Sequence, residues 1–341
     1  MNHTIGIIGI GYGQHVLLPV FRAHPRSDVL ALCASTQERA QEVAAEHNIP
    51  RAYGNWRDLI ADNDINVIAI ATPPHLQPEI AIAAAQAGKH LLLEKPLAAT
   101  LTDAQDMAAA IEAAGIASII DFEFPEIDAW GHTRHLLPQI GGLRHVEVLW
   151  NVETYANRNN LTNWKTQANG GGTLYNFVSH VFYNLGWFVG EPITGLSATL
   201  TKTPSDARDG DTVNIITATF ASGLAASITV SSHAFMGSGH RWTFYGDDGT
   251  LVLENTTRDY IYGFTLRYAL RGDDTFREVE LPAENPDVDG RRMATGRVVA
   301  RLLDWIESGE PSQPTITDGL RVQQLLSMAE QSHTEKRWLT L

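Results

Sequence analysis

A lysine, a histidine and three closely spaced glycines are the residues of this chain whose types and positions could support chemistry. Lys95 follows a run of apolar residues and precedes Pro96, so its ammonium would lie at the end of a buried strand, where a cation can orient a hydroxyl and favour its alkoxide form. The imidazole of His180 can accept or return a hydroxyl proton near neutral pH. Structural roles are the alternatives: a solvated loop lysine paired with Glu94, and a core histidine satisfied by hydrogen bonds.

The glycines belong to a segment that reads TIGIIGIGYG over residues 4–13. Gly9 would allow a tight turn after a buried strand, and Gly11 would let backbone N–H groups approach a pyrophosphate, which is the pattern of a dinucleotide site. Gln14 stands where this pattern usually has its third glycine, and Gly13 beside it is the candidate for the small residue. An ordinary strand-to-helix turn is the alternative. The residues expected to contact a dinucleotide here are Gly9, Ile10, Gly11, Tyr12, Gly13 and Gln14.

The elements that must position these residues alternate regularly along the first third of the chain. After the opening strand, further strands are predicted at residues 29–33, 67–71, 91–93 and 116–120, and helices at 16–21, 37–47, 56–60, 80–87 and 104–114. Nearly uninterrupted apolar strands alternating with helices indicate a parallel sheet covered on both faces. Ligands of such a sheet bind beyond the carboxyl ends of its strands, where the glycine turn, Ser35, Thr72 and Lys95 all fall.

The end of the second strand bears on the choice of dinucleotide. A carboxylate that could hold both ribose hydroxyls is missing from the run at residues 33–36, whereas Ser35 and Thr36 could donate hydrogen bonds to a 2′-phosphate and Arg39 could add a charge-assisted one. We therefore expect NADP(H) to be favoured over NAD(H). The alternative for Ser35 is that it caps the following helix.

The residues around His180 have a helical pattern with two unlike faces. The apolar stripe consists of Leu174, Phe177, Val178, Val181, Leu185 and Phe188. The opposite face consists of Asn176, Ser179, His180, Tyr183 and Asn184. Because a helix face in solvent is normally charged and this face has no charged residue, we expect it to line a cleft.

Composition excludes several classes of protein. The 341 residues are 44% hydrophobic and 19% charged, which is enough to form two domains. The formal charge of −14 disfavours a nucleic-acid partner, and Cys33 as the only cysteine excludes an internal disulfide. No apolar run is long enough to cross a membrane, and no leader sequence is visible, so the cytoplasm is the expected location. The histidines lack metal-ligand spacing, so we expect no metal site.

Three sequence blocks resemble the glucose-fructose oxidoreductase and inositol dehydrogenase family, written Gfo/Idh/MocA. They are GIIGIGYG at 6–13, then ATPP at 71–74 with AGKHLLLEKPLA at 87–98, then GGGTLYNFVSHVFYN at 170–184. Weaker similarity at 246–254 and 317–324 extends the resemblance over nearly the whole chain.

The resemblance implies two domains and an oligomer. An α/β Rossmann domain is expected over residues 1–121, and an α+β domain with a large, open, mostly antiparallel sheet over 122–341. Strand patterns at 143–152, 193–200, 213–220, 225–231, 241–244 and 251–253 agree with such a sheet. In this family the open face commonly meets another subunit, so a homodimer or homotetramer is expected.

The resemblance also implies roles for individual residues. Lys95 is expected to take part in substrate binding and proton handling, and His180 to act as acid and base. Asn176 stands where the family usually has an aspartate; an amide cannot take a proton, but it could position His180 or the substrate. Further cofactor contacts are expected from Ala71, Thr72, Pro73, Glu94 and Lys95. Further substrate contacts are expected from Phe122, Tyr155, Trp164 and Asn176.

The implied function is that of an NAD(P)-dependent oxidoreductase that interconverts an alcohol and a carbonyl on a sugar, polyol or related small molecule. Two alternatives stay open. One is a dinucleotide-binding regulator without turnover, which Asn176 would favour. The other is a glycosidase-type enzyme that uses bound NAD for transient oxidation.

Overall fold

Strands and helices alternate through the first part of the chain, and strands dominate the second. The computed structural model describes residues 2–204 and 206–341. The strands are β1 (His3–Ile8), β2 (Ser27–Cys33), β3 (Arg51–Tyr53), β4 (Val67–Ile70), β5 (His90–Leu93), β6 (Ser118–Ile120), β7 (Leu143–Asn151), β8 (Ile193–Thr201), β9 (Val213–Phe220), β10 (Ala225–Ser231), β11 (Gly239–Gly246), β12 (Gly249–Asn255), β13 (Thr265–Leu270), β14 (Arg277–Glu278) and β15 (Leu339–Thr340).

The helices fall into regular α-helices and short turns of other types. The α-helices are α1 (Leu18–Ala23), α2 (Gln37–Glu46), α3 (Trp56–Ile60), α4 (Gln77–Gln86), α5 (Leu101–Ala114), α6 (Asp128–Leu136), α7 (Tyr155–Arg158), α8 (Ser179–Val189), α9 (Gly290–Ser308) and α10 (Ile316–Glu335). Turns of 3-10 helix cover Phe124–Glu126, Leu137–Ile140 and Trp164–Thr166, and π-helical turns cover Gly13–Leu17 and Leu174–Val178.

The first unit is a Rossmann fold. It extends to Glu123 and also takes residues 288–323. Its parallel sheet has the strand order β3-β2-β1-β4-β5-β6, which confirms the predicted parallel sheet. β1 lies between β2 and β4, so the order of strands reverses there and the loops after β1 and β4 leave the same edge of the sheet.

Helix α9, which follows β14 in the chain, belongs to this first unit. Val298, Val299, Leu302 and Leu303 on α9 are buried in the same apolar core as Ile5 of β1. The expected division, which placed everything after residue 121 in the second domain, therefore does not describe residues 288–323. Chain order cannot predict this arrangement, because an amphipathic helix packs wherever its apolar face is buried.

The second unit contains a nine-stranded sheet. It takes the described residues of 124–287 and 324–341, and its strand order is β14-β13-β12-β11-β7-β10-β9-β8-β15. Among the pairs within this sheet, β7 with β10 is parallel and the others are antiparallel, which confirms the expected large, mostly antiparallel sheet.

The two faces of the nine-stranded sheet differ in burial. On β9, Ile216 and Ala218 are buried, while Ile215 is 55% exposed and Thr217 is exposed. This alternation is typical of a sheet that packs on one face only. In the part of the chain that the structure describes, no helix is long and apolar enough to cross a membrane.

We predict that Leu302→Ala destabilises the first unit. Leu302 is fully buried in the core shared by α9 and β1, and truncation of such a leucine leaves a cavity that costs about 2–5 kcal/mol. Urea unfolding followed by circular dichroism measures the change. A loss of less than about 1 kcal/mol would contradict the placement of α9 in this core.

Candidate active site

The three glycines of the turn after β1 differ in the space that a side chain would have. Gly9 has a φ of +100°, and a Cβ atom there would lie 2.3 Å from the carbonyl oxygen of Ala71. A Cβ atom on Gly13 would lie 2.9 Å from Cγ2 of Ile7, whereas one on Gly11 would meet no described atom within 4 Å. These are the three functions of glycine in a dinucleotide-binding turn: a tight turn, access for the ligand, and close packing of helix on strand. Gly13 therefore supplies the third glycine.

The surroundings of the turn fit a dinucleotide. Gly11 is exposed, so a pyrophosphate could approach its backbone. Thr72 follows β4 at the same edge of the sheet, and its hydroxyl oxygen is buried and makes no hydrogen bond within the described chain. Such a hydroxyl is available to a ligand. Ala71 and Pro73 on either side of Thr72 are half-buried.

The other residues of the turn are held by the first unit itself. The side chains of Ile10 and Tyr12 pack against its apolar core. The side-chain Nε2 atom of Gln14 lies 2.9 Å from Nε2 of His47. All three residues are half-buried.

Residues 35–39 after β2 are exposed, but the side chains of Thr36 and Arg39 have partners. The N-cap of α2 is Thr36, whose hydroxyl oxygen accepts the N–H of Arg39 at 3.2 Å; the alternative that Ser35 caps the helix is therefore wrong. The guanidinium of Arg39 donates to Glu42 at 3.0 Å. Ser35 itself is exposed. A 2′-phosphate would have to compete with Glu42 for Arg39.

Lys95 lies just beyond β5, among carboxyl groups. The N–H of Asp121 donates to the carbonyl of Leu93 at 2.8 Å, so the ends of β5 and β6 bring Glu94, Lys95, Asp121 and Glu123 to one edge of the sheet. Burial lowers the pKa of Lys95 below its ordinary value, while Glu123, Glu94 and Asp121 act in the opposite direction. The alternative of a solvated loop lysine does not describe this half-buried position.

Asp121 joins the glycine turn to this edge and was missed in the sequence. Its Oδ2 accepts hydrogen bonds from Thr295 on α9 at 2.9 Å and from Tyr12 in the turn at 3.3 Å, and the two hydroxyls lie 2.9 Å apart. Burial, together with the carboxylates of Glu94 and Glu123, raises the pKa of Asp121 well above its usual range. No sequence motif marks this group of Tyr12, Asp121 and Thr295, because the three residues are far apart in sequence.

His180 lies in the second unit within an aromatic cluster. It is 5% exposed, and its ring lies nearly perpendicular to that of Phe124 at a centroid distance of 4.8 Å. The ring centroid of Trp150 lies 6.3 Å from that of His180 and 3.9 Å from that of His240, on which the indole stacks. Trp242 donates to Nε2 of His240 at 2.8 Å, and burial lowers the pKa of His240 to about 3. His240 is therefore a neutral histidine in the cluster. Sequence reasoning missed Phe124, Trp150 and His240, which lie on separate elements.

The helical segment that carries Asn176 and His180 is anchored at its start by Asp211. The carboxylate of Asp211 accepts the N–H of Leu174 at 3.0 Å, and its backbone carbonyl accepts the N–H of Thr173 at 2.9 Å. A Cβ atom on Gly172 would lie 2.1 Å from Oδ1 of Asp211, which explains a glycine there. Burial raises the pKa of Asp211 to about 6. Asn176 is half-buried in the π-helical turn that follows.

The three aromatic residues expected to contact substrate differ in exposure. Phe122 is 2% exposed and lies at the end of the first unit, Tyr155 is 74% exposed, and Trp164 is half-buried with Nζ of Lys165 5.5 Å from its ring centre. Phe122 thus offers little surface to a ligand. In the described residues, no group of three or more His, Cys, Asp or Glu side chains is arranged to hold a metal ion.

The parallel sheet and its glycine turn define a domain of the dinucleotide-binding type. The chain belongs to the Gfo/Idh/MocA oxidoreductase family: the profile "Oxidoreductase family, NAD-binding Rossmann fold" matches residues 3–122, and "Oxidoreductase family, C-terminal alpha/beta domain" matches residues 136–341. The resemblance inferred from the sequence blocks is confirmed.

Several relatives match the chain along its whole length. An uncharacterised oxidoreductase of Synechocystis is 32% identical over 100% of this chain and 96% of its own. Levoglucosan dehydrogenase of Pseudarthrobacter phenanthrenivorans is 26% identical over 99% of this chain and 98% of its own. A structure of levoglucosan dehydrogenase in complex with NADH and levoglucosan has the same fold, with a TM-score of 0.89 at 24% identity over 100% of this chain and 99% of that one.

We predict that Gly11→Ala folds normally but binds dinucleotide poorly. Because a Cβ atom at this position meets no described atom, stability should change by no more than about 0.5 kcal/mol, while the methyl group should weaken NAD(H) binding by about tenfold or more. Thermal unfolding and calorimetric titration measure the two effects. Unchanged affinity would show that no ligand approaches Gly11.

Gly9→Ala is the matched comparison. Its Cβ atom would collide with the backbone of Ala71, so this variant should lose stability as well as binding. A Gly9→Ala protein as stable as the wild type would contradict the steric account of the turn.

We predict that Asp211→Asn alters the pH dependence of stability. The carboxyl of Asp211 has a higher pKa in the folded protein, about 6, than its ordinary value of 3.8, so the folded state binds the proton more tightly. Ionisation therefore lowers the unfolding free energy as pH rises from about 4 to 6, by up to about 3 kcal/mol. Relative to wild type, Asp211→Asn should gain stability across this window. Parallel stability curves from urea unfolding at each pH would refute this account.

Proposed function

We propose that the protein is an NAD(P)-dependent dehydrogenase or reductase that interconverts an alcohol and a carbonyl on a sugar, polyol or related small polyhydroxy molecule. The observation that carries this proposal is the combination, in the first unit, of a glycine turn open at Gly11 with a half-buried lysine among carboxyl groups at the same edge of the sheet. Family membership and the named activity of the levoglucosan dehydrogenase relative support it.

Residues 9–14 and 71–73 would hold the dinucleotide. When bound, the nicotinamide would exchange a hydride with the carbinol carbon, while the hydroxyl proton is exchanged with a base. Gly9 and Gly13 set the backbone of the turn, Gly11 leaves room for the pyrophosphate, and Thr72 offers a hydroxyl without an internal partner. Tyr12 is held by Asp121 and Thr295.

A preference for NADP(H) over NAD(H) remains part of the proposal. The absence of an acid at residues 33–36 and the exposure of Ser35, Thr36 and Arg39 support it. The ion pair of Arg39 with Glu42 opposes it, as does the NADH named in the relative's structure. Titration with NADPH and NADH decides the matter: tighter binding of NADPH, reduced in Arg39→Ala, is expected, and tighter binding of NADH by the wild type would refute the preference.

Lys95 would orient the reacting hydroxyl and stabilise its developing negative charge. Burial lowers the pKa of the ammonium, and the neighbouring carboxyl groups act in the opposite direction. In its charged form the ammonium can donate a hydrogen bond to the reacting oxygen. Its carboxyl neighbours also disfavour an anionic substrate, which agrees with a neutral polyhydroxy molecule.

His180 would accept the hydroxyl proton in oxidation and return it in reduction. Its ring is buried and packs against the rings of Phe124 and Trp150, which hold the imidazole in one place. Asn176 would position the imidazole or the substrate without taking a proton.

Asn176 also favours a second candidate, a dinucleotide-binding regulator without turnover. The assay is to incubate the protein with NADPH, NADP⁺, NADH or NAD⁺ and a panel of sugars, polyols, lactones and keto sugars, and to follow the absorbance of the reduced nicotinamide. Net oxidation or reduction supports the dehydrogenase. Tight binding of a dinucleotide without turnover supports the regulator, and product formation with the dinucleotide regained supports a glycosidase-type enzyme.

We predict that Lys95→Met and His180→Ala each lower kcat by about a hundredfold to ten-thousandfold. Matched controls are Lys202→Met and His135→Ala, which change exposed residues of the same types. The measurement is the steady-state rate at saturating cofactor. Turnover of His180→Ala equal to that of His135→Ala would remove His180 from the mechanism.

We further propose that the exposed face of the nine-stranded sheet meets a second copy of the chain. Ile215 is 55% and Tyr245 39% exposed, and both lie on the face opposite the buried core. Light scattering should give a mass two or four times that of the chain, and a monomer at micromolar concentration would refute the assembly. The expectation of a cytoplasmic enzyme is likewise a proposal, which fractionation of the source cells tests.

A further inference from the structure

Gln77 is a buried polar residue that has no part in the proposed reaction. It is the first residue of α4, and its side chain is 0% exposed. Its backbone N–H donates to the carbonyl of Pro73 at 3.3 Å. Gln77 therefore stands where the loop after β4, whose residues 71–73 are expected to contact the dinucleotide, passes into a helix.

The side-chain amide of Gln77 reaches the segment that carries Lys95. Its Nε2 atom lies 2.7 Å from the carbonyl oxygen of Glu94, 3.1 Å from that of Pro96 and 3.0 Å from that of Leu97. A primary amide has two hydrogens, so it bonds these three acceptors by sharing. These carbonyls belong to residues before and after Lys95. Within residues 94–97, the carbonyl of Lys95 is the one that this amide does not bond.

These contacts lie beyond the end of β5. β5 ends at Leu93, while Pro96 and Leu97 remain buried, so their carbonyls need partners other than water. Oε1 of Gln77 is buried and accepts no hydrogen bond within the described chain. The orientation of the amide is thus set by its three acceptors.

We propose that Gln77 is a positioning residue for Lys95. By donating to the backbone before and after Lys95, its amide fixes the lysine relative to the loop after β4, and so relative to the cofactor that residues 71–73 would contact. This inference rests on the proposed function, because it assigns Lys95 a role that depends on its exact place. Gln77 acts through backbone alone and touches neither substrate nor cofactor.

The test compares Gln77→Met, which keeps the side-chain length and removes the donor, with Gln77→His, which keeps an N–H donor. Gln86→Met at the exposed end of the same helix is the matched control. Two quantities are measured: kcat and KM at saturating cofactor, and the rate at which an N-hydroxysuccinimide ester acylates Lys95, followed by mass spectrometry of its peptide with Lys202 as the internal reference.

We expect Gln77→Met to lower kcat by about tenfold or more with a smaller change in KM, because the donor is lost while the substrate contacts remain. Acylation of Lys95 relative to Lys202 should rise by about fivefold, because the segment is no longer held. Gln77→His should restore both values to within about threefold of wild type, and Gln86→Met should match wild type.

Two results would overturn the inference: a Gln77→Met protein within twofold of Gln86→Met in kcat and acylation, or a Gln77→His protein as impaired as Gln77→Met. Should Gln77→Met fail to fold, Gln77→Asn replaces it, since its amide is one methylene too short to reach the carbonyls. The acylation rate needs no substrate, so it decides the role of Gln77 even if the wild type oxidises none of the alcohols tested.

Discussion

The close approach of Gly9 to the carbonyl of Ala71 is the contact on which the rest of the first unit depends. It lets the loop after β1 lie against the loop after β4, at the point where the order of strands reverses. A side chain at residue 9 would force these loops apart. With the contact made, Gly11 is left open to a ligand and Thr72 lies on the adjacent loop. The chain then enters α4 at Gln77, whose amide reaches the backbone around Lys95.

The two candidate catalytic residues have different neighbours. Burial lowers the pKa of Lys95, and the carboxyl groups of Glu94, Asp121 and Glu123 act against this change. His180 packs against the rings of Phe124 and Trp150, and burial lowers the pKa of the nearby His240 to about 3. Asp121 further joins the surroundings of Lys95 to the glycine turn through Tyr12 and Thr295.

Sequence reasoning predicted the parts of the fold that repeat regularly and missed those that depend on distant contacts. Apolar runs such as residues 67–71 predict buried strands, whereas β3 (Arg51–Tyr53) has three half-buried residues and no such run. The glycine turn and Lys95 could be found because their neighbours in sequence form the site. Asp121, Gln77 and Trp150 could not, because their partners come from other elements. α9 was placed with the second domain because its order in the chain does not reveal the core it joins.

The most direct measurement of the central claim is a crystal structure of the protein grown with NADPH or NADH. We predict a pyrophosphate against the backbone of Gly11, with the hydroxyl of Thr72 near the bound dinucleotide and the nicotinamide ring beside Lys95. A glycine turn that stays empty at saturating dinucleotide, or a nicotinamide bound away from Lys95, would contradict this prediction.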